Sequence, residues 1–244
     1  MNNIISLVLL ELKFILKSKF IWVGISVAFF YSVAIFLNFE LTNKSADPNS
    51  FYSFFNDISF YVLAILAAVH LSKEFELKTS RIIFSSGIST PTLLLIKLMS
   101  LLLLSLFWSI FHRLLVNLLE MINLSSYSTS FLTHDLGKTI FIYMLCITFI
   151  CSVAFLVTAV TFKRMTTVIT VILIFTFERF IRGMLLLFAS NNILERLLKL
   201  SPFKIAFESL EYAQINVYEA FMLFIFSIGL FVFTNLILLK KDLP

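Results

Sequence analysis

The chain has 244 residues, of which 60% are hydrophobic and 14% charged, with a mean hydropathy of +1.00. Soluble domains run nearer ~45–50% apolar and ~25% charged, so a soluble core of this length could not hide so much apolar surface, whereas lipid accepts it. The formal charge of +5 is no nucleic-acid signature, because the basic residues sit at the ends of apolar runs, where membrane topology puts them.

In chain order, residues 1–19 come first. They lack a charged leader and a small-residue cleavage site, and they contain Glu11 and Lys13, which argues against a secretory signal. Ile4, Ile5, Leu7, Val8, Leu12, Ile15 and Leu16 give a helix one broad apolar face, with Lys13 and Lys17 on the other. This predicts an amphipathic helix lying at the cytoplasmic interface. Six segments then approach the ~20 apolar residues that cross a ~30 Å hydrocarbon core as helix: 21–37, 54–71, 93–118, 139–160, 166–187 and 217–239. No internal repeat and no second soluble domain interrupt them, so 1–244 reads as one all-α integral membrane domain of six transmembrane helices.

The connections set the orientation. One side holds Lys13, Lys17, Lys19, Lys73, Lys78, Arg81, Lys97, Lys163, Arg164, Lys240 and Lys241. The other side has fewer basic residues, partly offset by Glu40, Asp47, Asp135, Glu195, Glu208 and Glu211. The richer side is predicted to be cytoplasmic and to hold both termini, which an even number of spans satisfies. On that side, 72–91 is polar and about one helix long. Outside, 120–135 is Ser-rich and expected to be mobile, while 190–216 mixes apolar and charged residues around Ser201-Pro202, as short re-entrant helices before the last span would.

Catalytic patterns are lacking. Gly137-Lys138-Thr139 ends like a phosphate-binding loop, but Leu132 stands where the pattern needs Gly. His70, His112 and His134 are scattered and form no H-E-x-x-H pair, and no G-x-S-x-G elbow occurs. Cys146 and Cys151 are five residues apart and point to different helix faces, so neither a disulfide nor a metal pair follows. The expectation is a protein that is not an enzyme and that takes no cofactor or metal.

Charges inside the spans are unusual. His112 and Arg113 lie in the third span, and Glu178, Arg179 and Arg182 in the fifth. Each central charge opposes insertion by roughly 2.5–3.5 kcal/mol, while each Leu, Ile, Phe or Val returns about 0.3–0.6. The fifth span therefore needs neighbouring helices or a boundary position for its charges. Glu178 and Arg182, four apart, can pair. With Arg113 they form either a polar lining of a substrate pathway or a structural pair fixing the fifth span against the third.

The most specific pattern is Glu74-Phe75-Glu76-Leu77-Lys78-Thr79-Ser80-Arg81-Ile82-Ile83, followed by Ser85-Ser86-Gly87-Ile88-Ser89 and by Lys97 opening the third span. It resembles the first cytoplasmic loop of the ABC transporter type 2 permease family, with Glu74, Thr79, Ser89 and Lys97 at matching positions. Lys78 stands for the usual Gly, Gly87 lies near the usual Pro, and Thr90 replaces the usual Arg. The ending Leu239-Lys240-Lys241-Asp242-Leu243 is similar to that family's basic-Asp finish, and Ser201-Pro202-Phe203 to its outer Pro-Phe element.

The resemblance implies a permease subunit that works with a separate ABC ATPase and with a second copy of itself or a related permease. The 72–91 loop would be a cytoplasmic coupling helix, with Glu74, Glu76, Lys78, Thr79 and Arg81 as contacts for the ATPase. A short, Phe-rich chain of this kind resembles the bacitracin-resistance and lantibiotic-immunity permeases and the peptide-toxin exporters, implying export of an amphipathic peptide across a bacterial plasma membrane. Export of a drug, ion or polysaccharide, or an ATPase-independent transporter or scaffold, are the alternatives.

Overall fold

The computed structural model describes residues 2–42, 48–76, 88–123, 131–188, 198 and 200–240. Among them are eight helices and no strand: α1 (Asn2–Lys17), α2 (Lys19–Leu41), α3 (Pro48–Glu76), α4 (Thr90–Asn123), α5 (Phe131–Thr161), α6 (Arg164–Phe188), α7 (Pro202–Tyr212) and α8 (Val217–Lys240).

Local chemistry sets several of the ends. The break between α1 and α2 falls on Ser18, whose amide donates to the Ile15 carbonyl at 2.9 Å, while the Trp22 indole donates to the Leu16 carbonyl at 2.9 Å. Two otherwise orphaned C-terminal carbonyls are thus satisfied. α4 opens on Ser89, whose carbonyl accepts from the Leu93 amide, and Pro91 sits in the first turn, where a missing donor is harmless. α8 begins with a reciprocal cap: the Glu219 amide donates to Asn216 Oδ1 at 2.9 Å, and the Asn216 amide donates to Glu219 Oε2 at 3.0 Å. Between α5 and α6 the chain reverses in two residues. Phe162 takes the left-handed conformation there (φ 53°), held by its ring against Phe75 at 5.0 Å between centroids.

α3 and α5 form the centre. α3 packs against α2, α4, α5, α6 and α7, and α5 against α3, α4, α6, α7 and α8. Small residues let these backbones approach, since Ala28, Ala64, Ala67, Ala68, Ala154 and Ala159 are all fully buried. Packing is tight at Gly24 of α2, where an added Cβ would lie 2.6 Å from Val62 Cγ1 of α3. Buried hydroxyls bond their own helix: Ser32 to the Ala28 carbonyl, Ser72 to Ala68, Thr158 to Ala154 and Ser227 to Leu223. Such back-bonding lets a hydroxyl sit where no water reaches.

The periphery is greasy. α8 exposes Phe221, Phe224, Ile228 and Val232, α2 exposes Trp22, Val27 and Phe30, and α6 exposes Ile169, Leu173, Phe177 and Ile181. Exposed apolar area on this scale suits lipid rather than water.

Each of the six expected spans falls inside a helix, and the helices run past them. Five helices, α2, α3, α4, α5 and α8, are long and apolar enough to cross a membrane, which makes this an all-α protein of multi-pass membrane type. The remaining long helix, α6, has 25 residues but gathers Glu178, Arg179 and Arg182 into five positions. Of the 190–216 segment, α7 is helical as expected. In the 72–91 segment, α3 continues to Glu76 and α4 begins at Thr90. Residues 77–87, with Lys78, Thr79 and Arg81, lie outside the described residues, as does 124–130 of the outer loop.

Candidate functional site

Two polar clusters interrupt the apolar bundle, one at each end. The first joins α1, α3 and α4 beside the 77–87 segment. Lys97, completely buried in the second turn of α4, places Nζ 2.7 Å from Glu74 Oε1 at the end of α3 and 2.7 Å from Glu11 Oε1 on α1. Glu11 Oε2 lies 3.7 Å from both Lys73 Nζ and His70 Nε2. His70 Nε2 also meets Ser100 Oγ at 2.9 Å, and Ser100 donates to the Lys97 carbonyl at 2.8 Å.

A lone buried ammonium would be strongly unfavourable; two carboxylates on separate helices compensate it. Helix periodicity produces the cluster. His70, Lys73 and Glu74 share one face of α3, and Lys97 and Ser100 share one face of α4. Chemically the cluster is a three-way clamp: α1 and both flanks of the 77–87 segment converge on one nitrogen.

Of the residues expected to contact an ATPase, Glu74 is therefore buried and engaged within the chain, while Glu76 is exposed.

The second cluster anchors α7. His112 of α4 and Asn56 of α3 meet across Tyr143 of α5. The Tyr143 hydroxyl donates to Asn56 Oδ1 at 2.6 Å and lies 2.9 Å from His112 Nδ1. Since the phenol has one proton, that geometry makes His112 Nδ1–H the donor to the phenol oxygen. Asn56 Nδ2 in turn donates to the Leu210 carbonyl in the last turn of α7. The Phe55 ring stacks on His112 at 4.9 Å. The result is one neutral chain running α4–α5–α3–α7, every member buried.

Beside it lies the charged end of α6. Arg182 Nε donates to Glu178 Oε1 at 3.2 Å, and Ser201 Oγ donates to the same oxygen at 3.0 Å. Ser201, at the N-cap of α7, therefore spends its hydroxyl on α6 instead of on its own helix. Arg182 Nη1 is 4.0 Å from Glu208, which also pairs with Lys204 at 3.2 Å. The Arg179 guanidinium lies over the Phe207 ring at 4.1 Å.

The Glu178–Arg182 pair expected from the sequence is present, and it fastens α6 to α7. Arg113 is fully buried on α4. The void left among Phe60, Phe175, Arg179 and Phe203 is about 10 Å3, room for one water at most. Burial, with Asp57 nearby, pushes the Glu211 carboxyl above its ordinary value, against a lowering pull from Arg179.

This end also carries a polar cleft of about 400 Å3 lined by Lys138, Glu208 and Glu219 among others. No group of three or more metal-binding side chains occurs among the described residues, and both cysteines are buried and free.

Sequence reasoning named Glu74, Glu178, Arg113 and Arg182 but missed that Glu11 and Lys97, 86 positions apart, share a bond. It also missed Asn56, Tyr143 and His112 as a unit. The available signal was polar residues inside apolar runs, which says that partners exist without saying which. Set against known proteins, the chain matches no family model and no curated protein.

Proposed function

We propose that this chain is the membrane-spanning subunit of an ATP-driven exporter of the ABC type 2 permease kind, moving an amphipathic peptide out of the bilayer. One observation carries the reading: Lys97 bonds Glu74 and Glu11 at once. A segment held this way at both flanks is mechanically suited to pass a push from a partner protein into α3, α4 and α1 together. In this reading residues 77–87 seat on a separate ATPase, with Glu76, Lys78, Thr79 and Arg81 as contacts and Glu74 as the strut behind them. The phosphate-binding sequence that the chain lacks would belong to that partner, and a second permease copy would complete the pathway.

The reading also takes α6 as a sixth crossing. Its charges lie in the half nearer α7, where Ser201 and Glu208 engage them, leaving 165–177 uncharged. Six crossings put both termini on the cytoplasmic face. Exposed phenylalanines on α6 and α8 suit a substrate that arrives from lipid.

The test is copurification with an ABC ATPase and measurement of ATP hydrolysis in liposomes. Arg81→Ala and Lys78→Ala are expected to uncouple hydrolysis from the permease without unfolding it. Substrate movement by the purified chain alone, with no ATPase present, would overturn the reading. A cysteine placed at position 79 should react with an impermeant reagent only after the cell is opened.

A further inference from the structure

We infer that the groove between α1, α3 and α4 binds one anionic glycerophospholipid, phosphate at Lys73 and Ser18, acyl chain along the apolar walls. The inference rests on α1 lying at the membrane interface and does not depend on what drives transport.

The groove is bounded by Phe14 of α1, Leu66 and Val69 of α3 and Leu101 of α4, with Ser18, His70 and Lys73 as polar members. Its volume is about 130 Å3, roughly four waters' worth of liquid, enough for the first carbons of one chain. Its depth in the bilayer is marked by Trp22, which is half exposed while its indole bonds the Leu16 carbonyl one turn from Ser18. Tryptophan with its N–H satisfied sits at the headgroup level, so the groove opens where phosphates are.

Charge selects the ligand. Lys73 remains 30% exposed, and its carboxylate neighbour Glu11, at 3.7 Å, is already bonded to Lys97 at 2.7 Å and shared with His70. Lys13, Lys17 and Lys19, adjacent in sequence to Phe14 and Ser18, are exposed. Within the cluster Lys73 and Lys97 balance Glu11 and Glu74, so the positive excess comes from exposed Lys13, Lys17 and Lys19 of α1 and α2 against exposed Glu76 of α3. A phosphatidylglycerol headgroup, with its single negative charge, offsets half of that excess. A phosphatidylcholine headgroup brings a trimethylammonium into it. The bound lipid would bear on the same α1–α3–α4 clamp that Lys97 holds.

The experiment uses the full chain in nanodiscs of phosphatidylcholine doped with phosphatidylglycerol, with retained lipid counted by native mass spectrometry after release into detergent. The wild type is expected to keep one phosphatidylglycerol in preference to phosphatidylcholine. Lys73→Gln should weaken that retention about fivefold, the loss of one near-surface lysine contact. Phe14→Ala, an exposed wall residue outside the ion cluster, should weaken it while elution as a folded species is unchanged. Equal retention of the two lipids would overturn the inference. So would wild-type retention in both variants, or displacement of the lipid by free glycerol phosphate, which would mark a headgroup-only anion site.

Discussion

The two ends of the bundle solve one problem by opposite means. A helix pair in lipid gains little from the hydrophobic effect, because lipid tails are as apolar as the partner helix, so polar contacts and close packing fix which faces meet. At the α1 end the device is ionic: a buried ammonium between two carboxylates. At the α7 end it is a neutral relay of imidazole, phenol and amide ending on a backbone carbonyl. The ionic knot has a large penalty for losing one member and joins elements on either side of the 77–87 segment. The neutral relay has small penalties at each step and locks a short helix into place. Difference in chemistry thus tracks difference in what is joined, the helices flanking residues 77–87 at one end and a short helix docked on the bundle at the other.

The sharpest way to break that comparison is Lys97→Met. It removes the ammonium that Glu11 and Glu74 share, and is expected to destabilise the fold by about 3–5 kcal/mol, read as a lowered unfolding midpoint in detergent. Adding Glu11→Gln and Glu74→Gln to Lys97→Met should restore most of the loss. A single variant as stable as wild type would show that the knot is not ionic in effect.

Tyr143→Phe cuts the relay at its middle. The expected loss is about 1–2 kcal/mol, between the ~0.6 typical of an intramembrane hydrogen bond and the cost of an orphaned amide oxygen. Proteolysis near α7 should rise in that variant and stay unchanged in Glu74→Gln. Equal proteolysis in the two would erase the division of labour.

Gly24→Ala tests close packing apart from either cluster. Its new methyl meets Val62, and overpacking of this kind typically costs about 1–3 kcal/mol. Combining it with Val62→Ala should recover the midpoint.

The smallest effect concerns pH. Burial raises the Glu211 carboxyl, with Asp57 and Glu208 adding and Arg179 opposing. Its folded value lies above the ordinary 4.5, so stability is fullest below that pH and declines as pH rises through the folded value. Glu211→Gln should flatten this slope in thermal unfolding at the α7 end, and an unchanged slope would locate the titration elsewhere.

How far each feature was legible follows from its range. Apolar runs and their lengths are local, so the helices stood in the sequence, as did the Glu178–Arg182 pair four residues apart. The sequence also showed that α6 carries an excess of charge for its length. It could not show that Ser201 and Glu208 of α7 would receive that charge. Glu74 looked like a surface contact because polar residues after a span usually meet water. Its burial depends on Lys97, 23 positions on, arriving from the next helix.

By itself the sequence determined a lipid-soluble, all-helical chain, because transfer of apolar side chains and closure of backbone hydrogen bonds within each helix are decided residue by residue. Only the tertiary structure decided which polar groups met: Lys97 with Glu11 and Glu74, and His112 with Tyr143 and Asn56. Those pairings depend on the rotation and depth of whole helices against one another, and a single buried charge without its partner has no favourable place in the bundle.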